Sequence, residues 1–168
     1  MNENGYIRKI DELGRIVIPK ELRQKLKIQD GESLVINCID KKINLSKYSY
    51  IGNNIEFITK VGDKVNFLMD LEIIITDLEN IIYSSKKYQN IKLDKEIINY
   101  AKNRENTIKT ELALNEEINL KGHIILESII SNSQSIGIVI VFCDKRIDYV
   151  ENLCKLIAEI ISYHINIT

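Results

Sequence analysis

Proline is all but missing from this sequence: Pro19 is the only one, and neither proline nor glycine gathers near residue 50, where the character of the chain changes. That excludes a Pro-rich or Gly/Ser-rich flexible linker there, and a tight connection is expected. Cysteine is scarce too. Cys38, Cys143 and Cys154 are odd in number and widely scattered, with no CxxC spacing. Neither a disulfide framework nor a zinc site is indicated, and reduced thiols in a cytoplasmic protein are expected. His123 and His164 have no partner at metal-ligand spacing, so no metal and no other cofactor is expected. The longest apolar runs, such as IGIVIVFC at 136–143, are too short to span a bilayer. The N-terminal MNENGYIRKIDELG lacks the apolar stretch of a signal peptide. No P-loop, no GxSxG and no clustered carboxylate pair occurs. A non-enzymatic protein is expected.

What is present is an ordinary globular mixture, 45% hydrophobic and 28% charged, sufficient to bury a core. The net charge of −1 conceals an asymmetry. Residues 1–48 hold ten Lys/Arg against seven Asp/Glu, or +3; the remainder holds thirteen against seventeen, or −4. A basic head on an acidic body is the distribution expected of a DNA-binding module joined to a part that avoids DNA.

The head reads as strands and one helix. GYIRKI (5–10) interleaves apolar residues with Arg8 and Lys9, and DELG follows as a turn. RIVI (15–18) is β-branched and reads as a buried strand. Pro19 cannot donate to a ladder but suits the first turn of a helix. KELRQKLKI then places Leu22 and Leu26 on one stripe. SLVINCI and INLSKY alternate around DKK as two further strands. Four short strands and one helix are too few to close a core, and their edges need partners. An obligate homodimer is therefore expected.

Beyond residue 50 the spacing of Ile51, Ile55, Ile58, Val61, Val65 and Leu68 predicts a helix over 51–70. LEIIITD (71–77) and NIIYSS (80–85) read as a hairpin, and LDKEIINYAKNR (93–104) as a helix with Asp94 as its cap. TIKTELALNEE reads as a short helix or an irregular segment. HIILESIIS (123–131) and IGIVIVFC read as strands. A final helix carries Ile147, Val150, Cys154, Ile157 and Ile161 on one stripe. Together these predict an α+β domain with an antiparallel sheet and end helices free to pack within or between chains. Tyr83, Ser84 and Ser85, at a strand end, are candidates for lining a pocket, against their plainer reading as turn residues.

The run GYIRKIDELGRIVIPKELRQKLKI, followed by GESLVI and INLSKY, closely resembles the N-terminal DNA-binding domain of the AbrB family of transition-state regulators. The resemblance spans residues 5–48. It implies a swapped-hairpin β-barrel formed by a dimer. The element order of the remainder is similar to regulators of this family in which a GAF-like domain follows the barrel. That implies a DNA-binding domain over 1–50 and a GAF-like sensory or oligomerisation domain over 51–168, assembled as a homodimer or homotetramer through the helices flanking the GAF-like domains. It also implies a cytoplasmic, nucleoid-associated regulator of transcription and sporulation, bound to double-stranded DNA in AT-rich promoter regions. An unknown small-molecule ligand at the GAF-like domain is a further implied partner.

By this resemblance Arg8, Arg15 and Arg23 face DNA. Arginine suits the task because its guanidinium stays charged and offers a planar fork to phosphate or guanine. Lys9, Lys20 and Lys25 would add less directional phosphate contacts. Asp11 and Glu12 stand beside these cations and are expected to orient arginines. One departure is Gln24, where the family commonly carries a second arginine. It can bond a base edge but supplies no charge. Two other classes remain open: an antitoxin built on the same barrel, and a GAF-fold sensor or redox enzyme relying on Cys143.

Overall fold

The computed structural model describes residues 5–28, 30–86, 88, 91–103 and 107–167. The chain divides into two compact units, Met1–Tyr48 and Ser49–Thr168.

In the first unit, α1 (Lys20–Lys25) precedes a hairpin of β1 (Leu34–Ile39) and β2 (Lys42–Lys47). The hairpin register pairs Leu34 with Lys47 and Ile39 with Lys42. That leaves a two-residue turn, Asp40 and Lys41, both left-handed at φ 51° and 61°. Such a turn matches the twist of the strands it joins. The strands expected at 5–10 and 15–18 are not formed. Those segments make no ladder within the chain, and Ile7, Ile10, Leu13, Ile16 and Val17 lie 49–91% exposed. β-branched sequence favours extended backbone, but extended backbone becomes a strand only when it pairs with an edge, and these segments pair with neither edge of the β1–β2 hairpin.

The second unit contains α2 (Tyr50–Asn53), α3 (Ile55–Met69), β3 (Glu72–Thr76), β4 (Ile81–Ser84), α4 (Lys95–Asn103), β5 (Thr107–Ala113), β6 (Asn119–Ser131), β7 (Gln134–Cys143) and α5 (Val150–Ile167). The expected helix over 51–70 is thus interrupted at Asn54, the residue between α2 and α3. Along TIKTELALNEE the chain forms β5 where a helix or irregular segment was expected. Its Ile108 and Leu112 pair with Ile125 and Leu120 of β6, so cross-strand packing overrides a weak helical preference.

The five strands form one antiparallel sheet in the order β4-β3-β7-β6-β5. Apolar residues on alternate positions feed two cores. Ile73, Ile75, Ile125, Ile129, Val139 and Val141 face one of them, with Ile58 of α3 and Val150, Cys154, Ile157 and Ile161 of α5. Ile74, Ile124, Leu126, Ile138 and Ile140 face the other, covered by Ile97 and Ala101 of α4. Of the stripe expected on the last helix, Val150, Cys154, Ile157 and Ile161 are buried, while Ile147 precedes the helix and is half-buried. Ile55 and Leu68, expected on the α3 stripe, lie exposed at 44% and 67%. This is an α+β unit with an antiparallel sheet and helices over both faces.

Candidate nucleic-acid interface

The basic head is built around one turn. Gly14 takes φ +75°, a conformation that L side chains adopt with strain, and its N–H donates to the Asp11 carbonyl at 2.9 Å. The Asp11 carboxylate then gathers three donors. Its Oδ1 accepts from the backbone N–H of Leu13 at 3.0 Å and of Arg15 at 2.8 Å, and its Oδ2 from Arg15 Nε at 2.7 Å. The N–H of Arg15, followed by its guanidinium, holds the Asp11 carboxyl below the ordinary aspartate range. The Arg15 side chain is 72% exposed, and its two Nη groups have no partner among the described residues.

Pro19 is buried and stands at the N-cap of α1, not inside the first turn; its φ of −55° and ψ of 145° lead into the helix. A residue there has no helical N–H to satisfy, so proline is tolerated. The helix carries Arg23 in its last turn, where the cation complements the partial charge of the C-terminus. Arg23 Nη1 donates to Asp30 Oδ1 at 2.8 Å, while its Nε is enclosed without a partner among the described residues. Arg8 donates from Nη1 to the Ile7 carbonyl at 2.9 Å and lies 5.9 Å from the Tyr6 ring centroid. Lys9, Lys20, Gln24 and Lys25 are exposed. Asp30 is not among the residues the sequence motif singles out; an acid just beyond a basic helix is the signal that points to it.

The second unit offers fewer candidates. Tyr83 is buried against Gly62 and donates to Asp63 Oδ1 at 2.8 Å. Burial and the Asp63 carboxylate push its phenol up. It is a core residue. Ser85 Oγ donates to Glu72 Oε2 at 2.9 Å and accepts from Ile73 N–H at 3.0 Å. His164 stacks on Phe57 with ring centroids 3.7 Å apart. His123 lines an open cleft of about 430 Å³ with Thr110, Gly122, Asp144 and Arg146, and its Nε2 is buried without a partner among the described residues. Cys154 is fully buried and Cys143 half-buried. Burial pushes both thiols up, the opposite of what a nucleophilic thiolate requires. Among the described residues no group of His, Cys, Asp and Glu is arranged to hold a metal ion. No helix of the described residues is long and apolar enough to cross a membrane.

An arginine clamped at a glycine turn, a proline-capped short helix and a β-hairpin define the class of the head. Residues 7–52 match the family model described as antidote–toxin recognition MazE, bacterial antitoxin, and the N-terminal domain is of this MazE/AbrB type. Over 165 residues the chain is 28% identical to stage V sporulation protein T of Bacillus subtilis (strain 168), covering 90% of this chain and 91% of that protein. It is 52% identical over 48 residues to the transition state regulatory protein AbrB of the same organism, covering 29% of this chain and half of that one. A crystal structure of a methyl-accepting chemotaxis protein, residues 122 to 287, shares a fold with the chain at a TM-score of 0.56 and 14% identity, covering 70% of this chain and 96% of that one.

Proposed function

We infer that this protein is a non-enzymatic, DNA-binding regulator of transcription. Residues 1–50 bind double-stranded DNA, and residues 51–168 form a GAF-like domain for assembly and ligand sensing. The observation that carries the reading is Arg15: its Nε is tied to Asp11 while the rest of the guanidinium projects into solvent from an AbrB-type domain. Arg8 and Arg23 supply further forks, Lys9, Lys20 and Lys25 add charge, and Gln24 adds a neutral donor and acceptor. Few of these groups are base-edge readers, so the reading favours deformable, AT-rich promoter DNA over a strict consensus.

Self-association follows from what the single chain leaves uncovered. The segments 5–10 and 15–18 expose apolar side chains that a second copy would cover by completing a swapped-hairpin barrel. On α5, Leu156, Ile160, Tyr163 and Ile167 recur at spacings of 4, 3 and 4 and lie 43–69% exposed. That stripe suits helix pairing between subunits, which turns dimers into a homotetramer. The likeness to stage V sporulation protein T supports a cytoplasmic role in sporulation, and the His123 cleft is the place to look for a small ligand.

The test is fluorescence anisotropy on an AT-rich duplex across a salt series. Wild type is expected to bind with a steep salt dependence. Arg15→Ala is expected to flatten the log–log slope by about 0.9 for each phosphate it no longer neutralises, or about 1.8 for the dimer. Wild type that fails to bind near physiological salt overturns the reading.

A second reading is an antitoxin, favoured by the family model itself. Against it, the chain continues into a folded five-stranded α+β unit where such antitoxins usually carry a disordered tail that wraps a toxin. A small protein that co-purifies and is inactivated by this one would favour the antitoxin.

A further inference from the structure

We propose that two aspartates of the basic head set its DNA affinity in opposite directions. Asp11 presents the Arg15 fork to DNA, whereas Asp30 competes with DNA for the fork of Arg23. The inference rests on the DNA-binding reading above.

The difference lies in which nitrogen each carboxylate takes. Asp11 binds Arg15 through Nε, at the root of the guanidinium. The same carboxylate is fixed by the N–H groups of Leu13 and Arg15, so Arg15 is anchored on a turn that is itself hydrogen-bonded. The two Nη groups, which phosphate or guanine would engage as a fork, stay open. A side chain held in one geometry before DNA arrives has less freedom to lose on binding. Asp11 is thus a positioning residue.

Asp30 does the reverse. It takes Arg23 Nη1, one of the two terminal nitrogens of the fork. Asp30 is 95% exposed, and no backbone N–H among the described residues holds its carboxylate. While that bond is made, Nη1 has one N–H fewer for DNA and is held toward Asp30, so the ion pair competes with a full fork on DNA. Nor is Nε a substitute, since it is enclosed.

A plain charge argument assigns both aspartates the same sign. Each is an anion facing a polyanion, so neutralising either strengthens binding. The geometry predicts a split. Asp11→Asn keeps an oxygen for the N–H groups of Leu13 and Arg15, so the turn survives, but its amide no longer clamps Arg15 Nε. Asp30→Asn releases Arg23.

The experiment is anisotropy on the AT-rich duplex at fixed salt with the full chain. Asp11→Asn is expected to bind about tenfold more weakly, the scale of one good forked contact. Asp30→Asn is expected to bind about threefold more tightly, because Arg23 no longer has to leave a carboxylate to meet DNA. Positioning is separated from folding by a double-mutant cycle: in an Arg15→Ala background, Asp11→Asn is expected to weaken binding no further. A drop in affinity that persists in that background means Asp11 acts through the fold, and overturns the proposal. So does tighter binding in both single variants, or no change in either. Wild type that shows no salt-dependent binding overturns the DNA reading itself, and the proposal with it.

Discussion

Glycine at position 62 is a packing requirement. Gly62 lies on the buried face of α3, and a Cβ there would overlap the Tyr83 ring. Gly62→Ala is expected to destabilise the C-terminal unit by about 1–3 kcal/mol, the usual penalty for overfilling a packed site, read as a lower urea midpoint. At Asp11 the consequence is electrostatic. Its carboxyl is lowered by the donors it gathers, so the clamp on Arg15 is fully formed above the ordinary aspartate range and lost as pH falls through the depressed value. Carboxyl-carbon NMR is expected to show Asp11 titrating at lower pH than aspartate in an unstructured peptide. Arg8, Arg15 and Arg23 were marked as candidates by the sequence because they sit inside a dense motif. Asp30 was not, because its meaning depends on α1 ending where Lys27 turns left-handed at φ 54° and the chain folds back.

Among the elements, the connection after β2 shows how little sequence a joint needs. β2 ends at Lys47 and α2 begins at Tyr50. Ser49 caps that helix, its Oγ accepting from Gly52 N–H at 3.0 Å and donating to Asp77 Oδ2 at 2.8 Å. Ser49→Ala is expected to cost about 1 kcal/mol, seen as a lower midpoint of the C-terminal unit in thermal unfolding. The strongly periodic segments were legible: α5 from its stripe, and the β3–β4 and β6–β7 hairpins from isoleucine-rich runs between turns. β5 was not, because its Lys and Glu residues mark an edge strand with few apolar positions, of which Leu112 alone is buried. The strands expected at 5–10 and 15–18 fail for a different reason. Their pattern calls for pairing, but neither segment forms a ladder within the single chain.

Taken whole, the molecule separates a unit with its own core from one without. Among the described residues both buried apolar clusters are built from Ile51 and later residues, while the head buries Pro19 and leaves Ile7, Ile10, Leu13, Ile16 and Val17 exposed. The exposed stripe on α5 gives this scale its prediction. Leu156→Asp combined with Ile160→Asp is expected to halve the assembled mass in light scattering, from tetramer to dimer, with the far-ultraviolet circular dichroism unchanged. An unaltered mass removes α5 from the assembly.

That lopsided distribution of core makes the protein sensitive to its own abundance. If the head completes itself only by pairing, its folding free energy is dominated by a concentration term, whereas the C-terminal unit already closes its cores within one chain. Dilution would then erase DNA binding while leaving a well-folded body behind, its N-terminal 48 residues open to proteases. Copy number per cell would act as an input in its own right, with a threshold below which the regulator is present but silent.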